Sequence, residues 1–173
     1  MIRAKVARSQ RGARILLLGG AAALAAAFSA LSSWRDHHAL LINASGSLPN
    51  WAFFIDRTKM PGRGDLVFFD PPPSTLLTRH FGAHLRPFGK RVYGVAGDSV
   101  TTRGRFFLVN DHVVAKAKVT SRLGEPLAMG RTGIIPRGCY FVATAHPDSF
   151  DSRYAAIGWI CRPRILGVGR AIL

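Results

Sequence analysis

Two hydrophobic patterns divide the chain. From Ile15 to Ser33 no residue is charged, and at about 1.5 Å per residue such a run, as one helix, nearly spans a hydrocarbon core of about 30 Å. After Trp34 the apolar residues come in short runs: Trp51 to Ile55, Leu66 to Phe69, Arg91 to Val95, Phe106 to Val109, Val113 to Val119 and Tyr140 to Thr144. Gly, Pro and Asp separate these runs, which therefore predict strands and a mainly β domain behind one N-terminal helix. Pro71-Pro72-Pro73 ends one strand, and Val109-Asn110-Asp111-His112-Val113 reads as a hairpin turn. Ser74 to Phe88 fits neither pattern and stays open between a short helix and a loop over the site. No internal repeat or low-complexity segment interrupts the second part, whose length of about 140 residues suits one domain with its own core.

Charge gives the first pattern a direction. Arg3, Lys5, Arg8, Arg11 and Arg14 precede the uncharged run, and the positive-inside bias keeps such residues in the cytoplasm. The expected organisation is a basic cytoplasmic tail over 1–14, a transmembrane signal anchor over 15–34 and an exported domain over 35–173. A cleaved secretory signal is the competing reading, since small residues around Ala25 to Ala30 offer cleavage positions. The 24 Lys and Arg against 9 Asp and Glu give a formal net charge of +15. Its exported share suits anionic lipid headgroups. A nucleic-acid partner is not expected, because the basic residues after Trp34 are scattered and a domain beyond the membrane would rarely meet DNA.

Candidate chemistry lies in Ser45-Gly46-Ser47-Leu48-Pro49 and in the run from Gly89 to Asp98. A serine hydroxyl needs a neighbour that takes its proton as it attacks a carbonyl. Lysine does this only when neutral, and burial among apolar groups lowers its pKa from about 10.4 toward the working range. In a strand, Lys90 and Val92 share one face and Arg91 takes the other. The competing reading makes Lys90-Arg91 a solvated basic pair on an edge strand. Among the six histidines, His80 and His84 stand four apart, a spacing that suits metal ligation only on a helix. Gly82 and Pro87 disfavour a sustained helix there, so a loop and no metal are expected, and no Ser-His-Asp arrangement is recognisable.

These segments together resemble the signal peptidase I (S26) family of membrane-bound serine peptidases. Ser45 to Pro49 is similar to the nucleophile box, Gly64-Asp65-Leu66-Val67-Phe68-Phe69 to the strand after it, Lys90 to Asp98 to the lysine box, and Gly138 to Gly158 to the closing box, in family order. Ser149-Phe150-Asp151-Ser152-Arg153-Tyr154 matches the closing core. Upstream, however, Ala145-His146-Pro147-Asp148 replaces the Gly-Asp-Asn-Arg of housekeeping leader peptidases. In this the chain looks more like the conjugative-transfer branch, the TraF-type peptidases that mature pilin subunits.

The resemblance implies a signal-peptidase-like β-sheet or barrel catalytic domain on the periplasmic side, anchored in the inner membrane by a single pass. It implies Ser47 as nucleophile, Lys90 as general base, and the Ser45 hydroxyl with the Ser47 N–H as oxyanion donors. Ser149 would orient the lysine amine. Asp151 and Arg153 would support the site as an ion pair, with a purely structural salt bridge, or two side chains sharing a strand face, as the alternatives. No cofactor is implied. The implied partners are the bilayer, a membrane-anchored protein substrate such as a pilin precursor, and other conjugation or secretion proteins. The alternatives are a general leader peptidase of secreted preproteins and a non-catalytic binding component of a conjugation apparatus.

Cys139 and Cys161, the only two cysteines, flank the closing box. An exported domain allows disulfides to persist. If Gly138 to Val142 and Ile157 to Cys161 run as antiparallel neighbours, a bridge between them staples the loop bearing Ser149 and Asp151. Two unpaired buried thiols are the alternative.

Overall fold

The computed structural model describes residues 2–42 and 48–172, with side chains from residue 16 onward. The chain forms two compact units, Met1–His38 and Ala39–Leu173.

The first unit is the helix α1, Ile2–His37. Its stretch Leu16–His37 is long and apolar enough to cross a membrane, and Leu16, Leu17, Leu18, Leu24 and Phe28 are all exposed. A helix end leaves carbonyls without intrahelical partners. Here the His37 Nδ1 lies 2.7 Å from the Ser33 carbonyl and the His38 Nδ1 3.0 Å from that of Trp34, so these imidazoles serve the last turn.

The second unit is built from two sheets. Strands β1 (His38–Ile42), β2 (Ala52–Asp56), β3 (Leu66–Phe69), β4 (Phe88–Gly94), β9 (Cys139–Ala143), β10 (Ile160–Cys161) and β11 (Ile165–Ala171) form a seven-stranded sheet in the order β1-β2-β11-β3-β4-β9-β10. Strands β5 (Ser99–Arg103), β6 (Phe106–Val109), β7 (His112–Lys116) and β8 (Gly133–Ile134) form a four-stranded sheet in the order β7-β6-β5-β8. The architecture is mainly β, as the spacing of apolar runs predicts.

Alternation along β3 divides the interior. Val67 and Phe69 enter the main core with Val92, Phe107 and Phe141, whereas Phe68 joins a small cluster with Phe53 and Ile55. The rings of Phe107 and Phe141, one from each sheet, lie 5.7 Å apart and tie the sheets together. Strand β11 is glycine-punctuated because it passes Phe68 at close quarters: a Cβ on Gly169 would stand 2.3 Å from the Phe68 ring.

The hairpin between β6 and β7 has Asn110 and Asp111 at φ 47° and 65° between the paired Val109 and His112. Positive φ at both central residues is the two-residue turn that matches strand twist. Two expectations need correction. The run Val113 to Val119 stops being a strand at Lys116, because Arg105 reaches across to the carbonyls of Ala117, Lys118 and Leu127 and holds the following chain as a loop. Between Ser74 and Phe88 a real helix forms, α2 (Thr75–Phe81), capped by Gly82 at φ 85°. The loop expected at His80 is therefore a helical turn, but the helix ends before His84.

Candidate functional site

Strand β4 positions Lys90. It pairs with Val67 across the β3–β4 ladder, while the neighbouring Gly89 pairs with Phe68. Successive side chains take opposite faces, so Lys90 and Val92 are buried and Arg91 is exposed. Lys90 is only 4% exposed, and its Nζ stands 5.4 Å from the centre of the Phe88 ring. Burial lowers its pKa from 10.5 to about 8, with the charge of Asp151 acting in the opposite direction and that of Arg153 adding to the fall. Removing water from an ammonium in this way favours the neutral amine.

The closing segment is held by a buried ion pair. Arg153 donates from Nε to Asp151 Oδ1 and from Nη2 to Asp151 Oδ2, each at 2.7 Å. The same guanidinium reaches the Lys116 and Thr144 carbonyls at 3.0 and 2.7 Å. Asp151 Oδ2 also accepts the Thr144 N–H at 3.2 Å. Asp151 and Arg153 do not share a strand face. They lie in a turn that folds back on β9, where the Ser152 N–H donates to the Val142 carbonyl and the Val142 N–H to Ser152 Oγ, both at 2.9 Å. Ser152, fully buried, therefore supports the turn in a way that its spacing in the sequence does not reveal.

Ser149 precedes this turn and is 4% exposed. Its Oγ has no hydrogen-bond partner among the described residues. Ser149 and Lys90 line one cavity of about 760 Å³. A buried hydroxyl without a partner is costly, and here it faces the same space as a desolvated amine.

The cavity has two chemical sides. Leu48, Phe53 and Phe68 supply an apolar side, whereas Lys118, Arg122 and Asp148 supply a charged one. Lys118 Nζ lies 2.5 Å from Asp148 Oδ1, and Arg122 Nε 3.9 Å from Oδ2. The hydrogen bond from Lys118 chiefly holds the Asp148 carboxyl below the usual carboxylate range. Helix α2 brings His80 to the same cavity, where its Nε2 is 2.7 Å from Glu125 Oε2 and its ring lies 4.8 Å from that of Phe150, tilted by 56°. His80 thus has a carboxylate and an aromatic neighbour, and no group of three metal-ligating residues occurs among the described residues. Sequence spacing misses the pairing of His80 with Glu125; the departure at Ala145 to Asp148 was the one visible sign that this side differs.

Ser45 and Ser47 lie outside the described residues. The residues that flank them, Ile42 and Leu48, both line the cavity. Cys139 and Cys161 are cross-strand partners on β9 and β10 and are joined as a disulfide.

The sequence as a whole is similar to known proteins. The chain is 32% identical over 180 residues to a probable conjugal transfer protein TraF of Sinorhizobium fredii, covering 96% of this chain and 93% of that one. It is 27% identical over 144 residues to a conjugal transfer protein TraF of Agrobacterium fabrum, covering 76% and 80%. A crystal structure of a signal peptidase I from Enterococcus faecalis aligns with a TM-score of 0.40 at 24% identity, over 64% of this chain and 97% of that one. The family described as signal peptidase, peptidase S26 matches residues 13–173, nearly the whole chain, and the protein belongs to that family.

Proposed function

We propose that the protein is a membrane-anchored serine endopeptidase with a Ser-Lys dyad that matures a conjugative pilin precursor. Residues 1–14 lie in the cytoplasm, residues 15–34 anchor the chain, and the domain from residue 35 works in the periplasm. Ser47 Oγ attacks the scissile carbonyl as neutral Lys90 takes its proton. The C–N bond then breaks, Lys90 returns the proton to the leaving amine, and the acyl group stays on Ser47. Water, or an amine of the substrate itself, releases it. The Ser45 hydroxyl and Ser47 N–H face the oxyanion, and Ser149 orients the lysine amine.

The observation that carries this reading is the burial of Lys90, whose pKa falls to about 8 in a cavity also lined by Ser149, whose buried hydroxyl has no partner among the described residues. Asp151 and Arg153 support it by fixing the turn next to Ser149. The conjugal-transfer names of the two relatives support a substrate of a conjugation apparatus rather than general secreted preproteins, and the TraF-type resemblance of the motifs makes a pilin precursor that substrate. Co-expression with the pilin precursor tests it: Ser47→Ala and Lys90→Ala each leave the precursor uncut while the protein stays folded in the membrane. Normal processing by either variant rejects the dyad.

A further inference from the structure

The charged side of the cavity is not required by the dyad. Among the described lining residues Asp148 is the only carboxylate, against Arg86, Lys118 and Arg122 in addition to Lys90. Asp148 is already engaged: Lys118 takes one oxygen at 2.5 Å, and the other lies 3.9 Å from Arg122 Nε. That long contact is the only ion pair of Arg122 among the described residues, so most of its donor fork remains open; Arg86 has none. Asp148 adjoins Ser149, which is 4% exposed, lines the same cavity and has a hydroxyl with no hydrogen-bond partner among the described residues. The surplus of positive charge therefore lies beside Ser149 in the cavity lining, and it is open to solvent: the side chains of Lys118 and Arg122 are 41% and 74% exposed.

We propose that Arg122, with Lys118 and Arg86, forms a subsite for a carboxylate carried by the peptide substrate within a few residues of the cut, in the cavity that Leu48, Phe53 and Phe68 also line. A guanidinium with free donors takes a carboxylate in two parallel hydrogen bonds. An excess of one sign in a cleft with apolar walls also raises the local concentration of the opposite charge. The carboxylate comes from an Asp or Glu side chain or from a free C-terminus. As a specificity device this rests on the peptidase reading, but the binding it predicts can be measured without cleavage.

The test uses the full-length Ser47→Ala protein in detergent micelles and fluorescent peptides with an apolar half. One series carries a single Glu at successive positions, a second carries Gln, and a third is the Gln peptide with a free C-terminus instead of an amide. At one position at least, the Glu peptide or the free acid should bind about 5- to 10-fold more tightly than the Gln amide, and the margin should shrink as salt rises. Arg122→Gln should remove the margin. Arg122→Glu should transfer the preference to a Lys-bearing peptide. The Glu and free-acid arms say which source of carboxylate is read. Binding within twofold at every position, or none by any peptide, overturns the proposal; so does an unchanged margin in Arg122→Gln and Arg86→Gln. If the wild-type protein cuts these peptides with no charge preference, the subsite fails and the peptidase stands. If binding shows the preference but the wild-type protein cuts nothing, the reverse holds.

Discussion

Leu48 packs directly over Gly89. A Cβ at Gly89 would lie 2.9 Å from Leu48 Cδ1 and 2.7 Å from Phe68 Cε1, so the residue that follows Ser47 sits on the strand that carries Lys90 only because position 89 has no side chain. Gly89→Ala forces both side chains to move. Leu48 Cδ1 is a mobile end, but the Phe68 ring is buried and closed in by β11 at Gly169, so the stability cost belongs in the middle of the overpacking range, about 2 kcal/mol. Catalysis depends on placement to within an ångström. The expected result is a melting temperature lowered by a few degrees with processing reduced at least tenfold. Unimpaired processing would show that the contact does not position Ser47.

The pair of Asp151 and Arg153 yields a second prediction. Both side chains are nearly inaccessible, at 0% and 3% exposure. Removing one charge leaves the other buried and uncompensated, typically at about 3–5 kcal/mol, whereas replacing both with apolar groups is often much less costly. Asp151→Asn should therefore be strongly destabilised in chemical denaturation, and the double variant Asp151→Leu/Arg153→Met less so than Asp151→Asn alone. A double variant as unstable as the sum of the single ones would mean that each residue acts through separate contacts, such as the bonds of Arg153 to the Lys116 and Thr144 carbonyls.

These residues also show what is legible in the sequence. Lys90 is, because strand alternation needs only its immediate neighbours, and so is the Asn110-Asp111 turn, whose residue types tolerate positive φ. Strand β11 is not. Gly167 and Gly169 read as breaks, yet they are there because β11 passes against Asp56 and Phe68, contacts set by tertiary structure. Strand β5 is hidden for another reason: most of Ser99–Arg103 faces solvent, so no apolar run marks it. The charged side of the cavity joins Lys118 to Asp148 and His80 to Glu125 across 30 and 45 positions, distances over which local pattern carries nothing. The family order of motifs is what points to Ser47, since no geometry of residues 43–47 is described.

The cystine between β9 and β10 closes a loop of 22 positions that contains Ser149, Asp151 and Arg153. For a loop of that size the cross-link contributes about 3 kcal/mol, mainly by restricting the unfolded chain. Cys139→Ser/Cys161→Ser should lower the denaturation midpoint accordingly. Because the closing turn is also tied by Arg153 and Ser152, the variant that remains folded at low temperature should keep processing activity. A midpoint unchanged by the double substitution, or by reduction of the wild-type protein, would mean that the bridge does not contribute to stability.

Lys90 gives the last prediction, in which function and stability oppose each other. As the proposed base it must be neutral, so with its pKa lowered to about 8 kcat/KM should rise with pH and level off above that value. The sign for stability follows from proton counting. Between about pH 8 and the ordinary lysine value of 10.5 the unfolded chain binds more protons at this residue than the folded one, so stability rises with pH across that window. Below it, keeping a buried ammonium costs about 3 kcal/mol. Lys90→Met, which is similar in length and uncharged, should abolish processing at every pH, raise stability at pH 7 by an amount of that order, and remove the rise between pH 8 and 10.5. Activity falling with pH through 8, or a Lys90→Met protein that is less stable than the wild type at pH 7, would contradict the burial of this amine as the source of its reactivity.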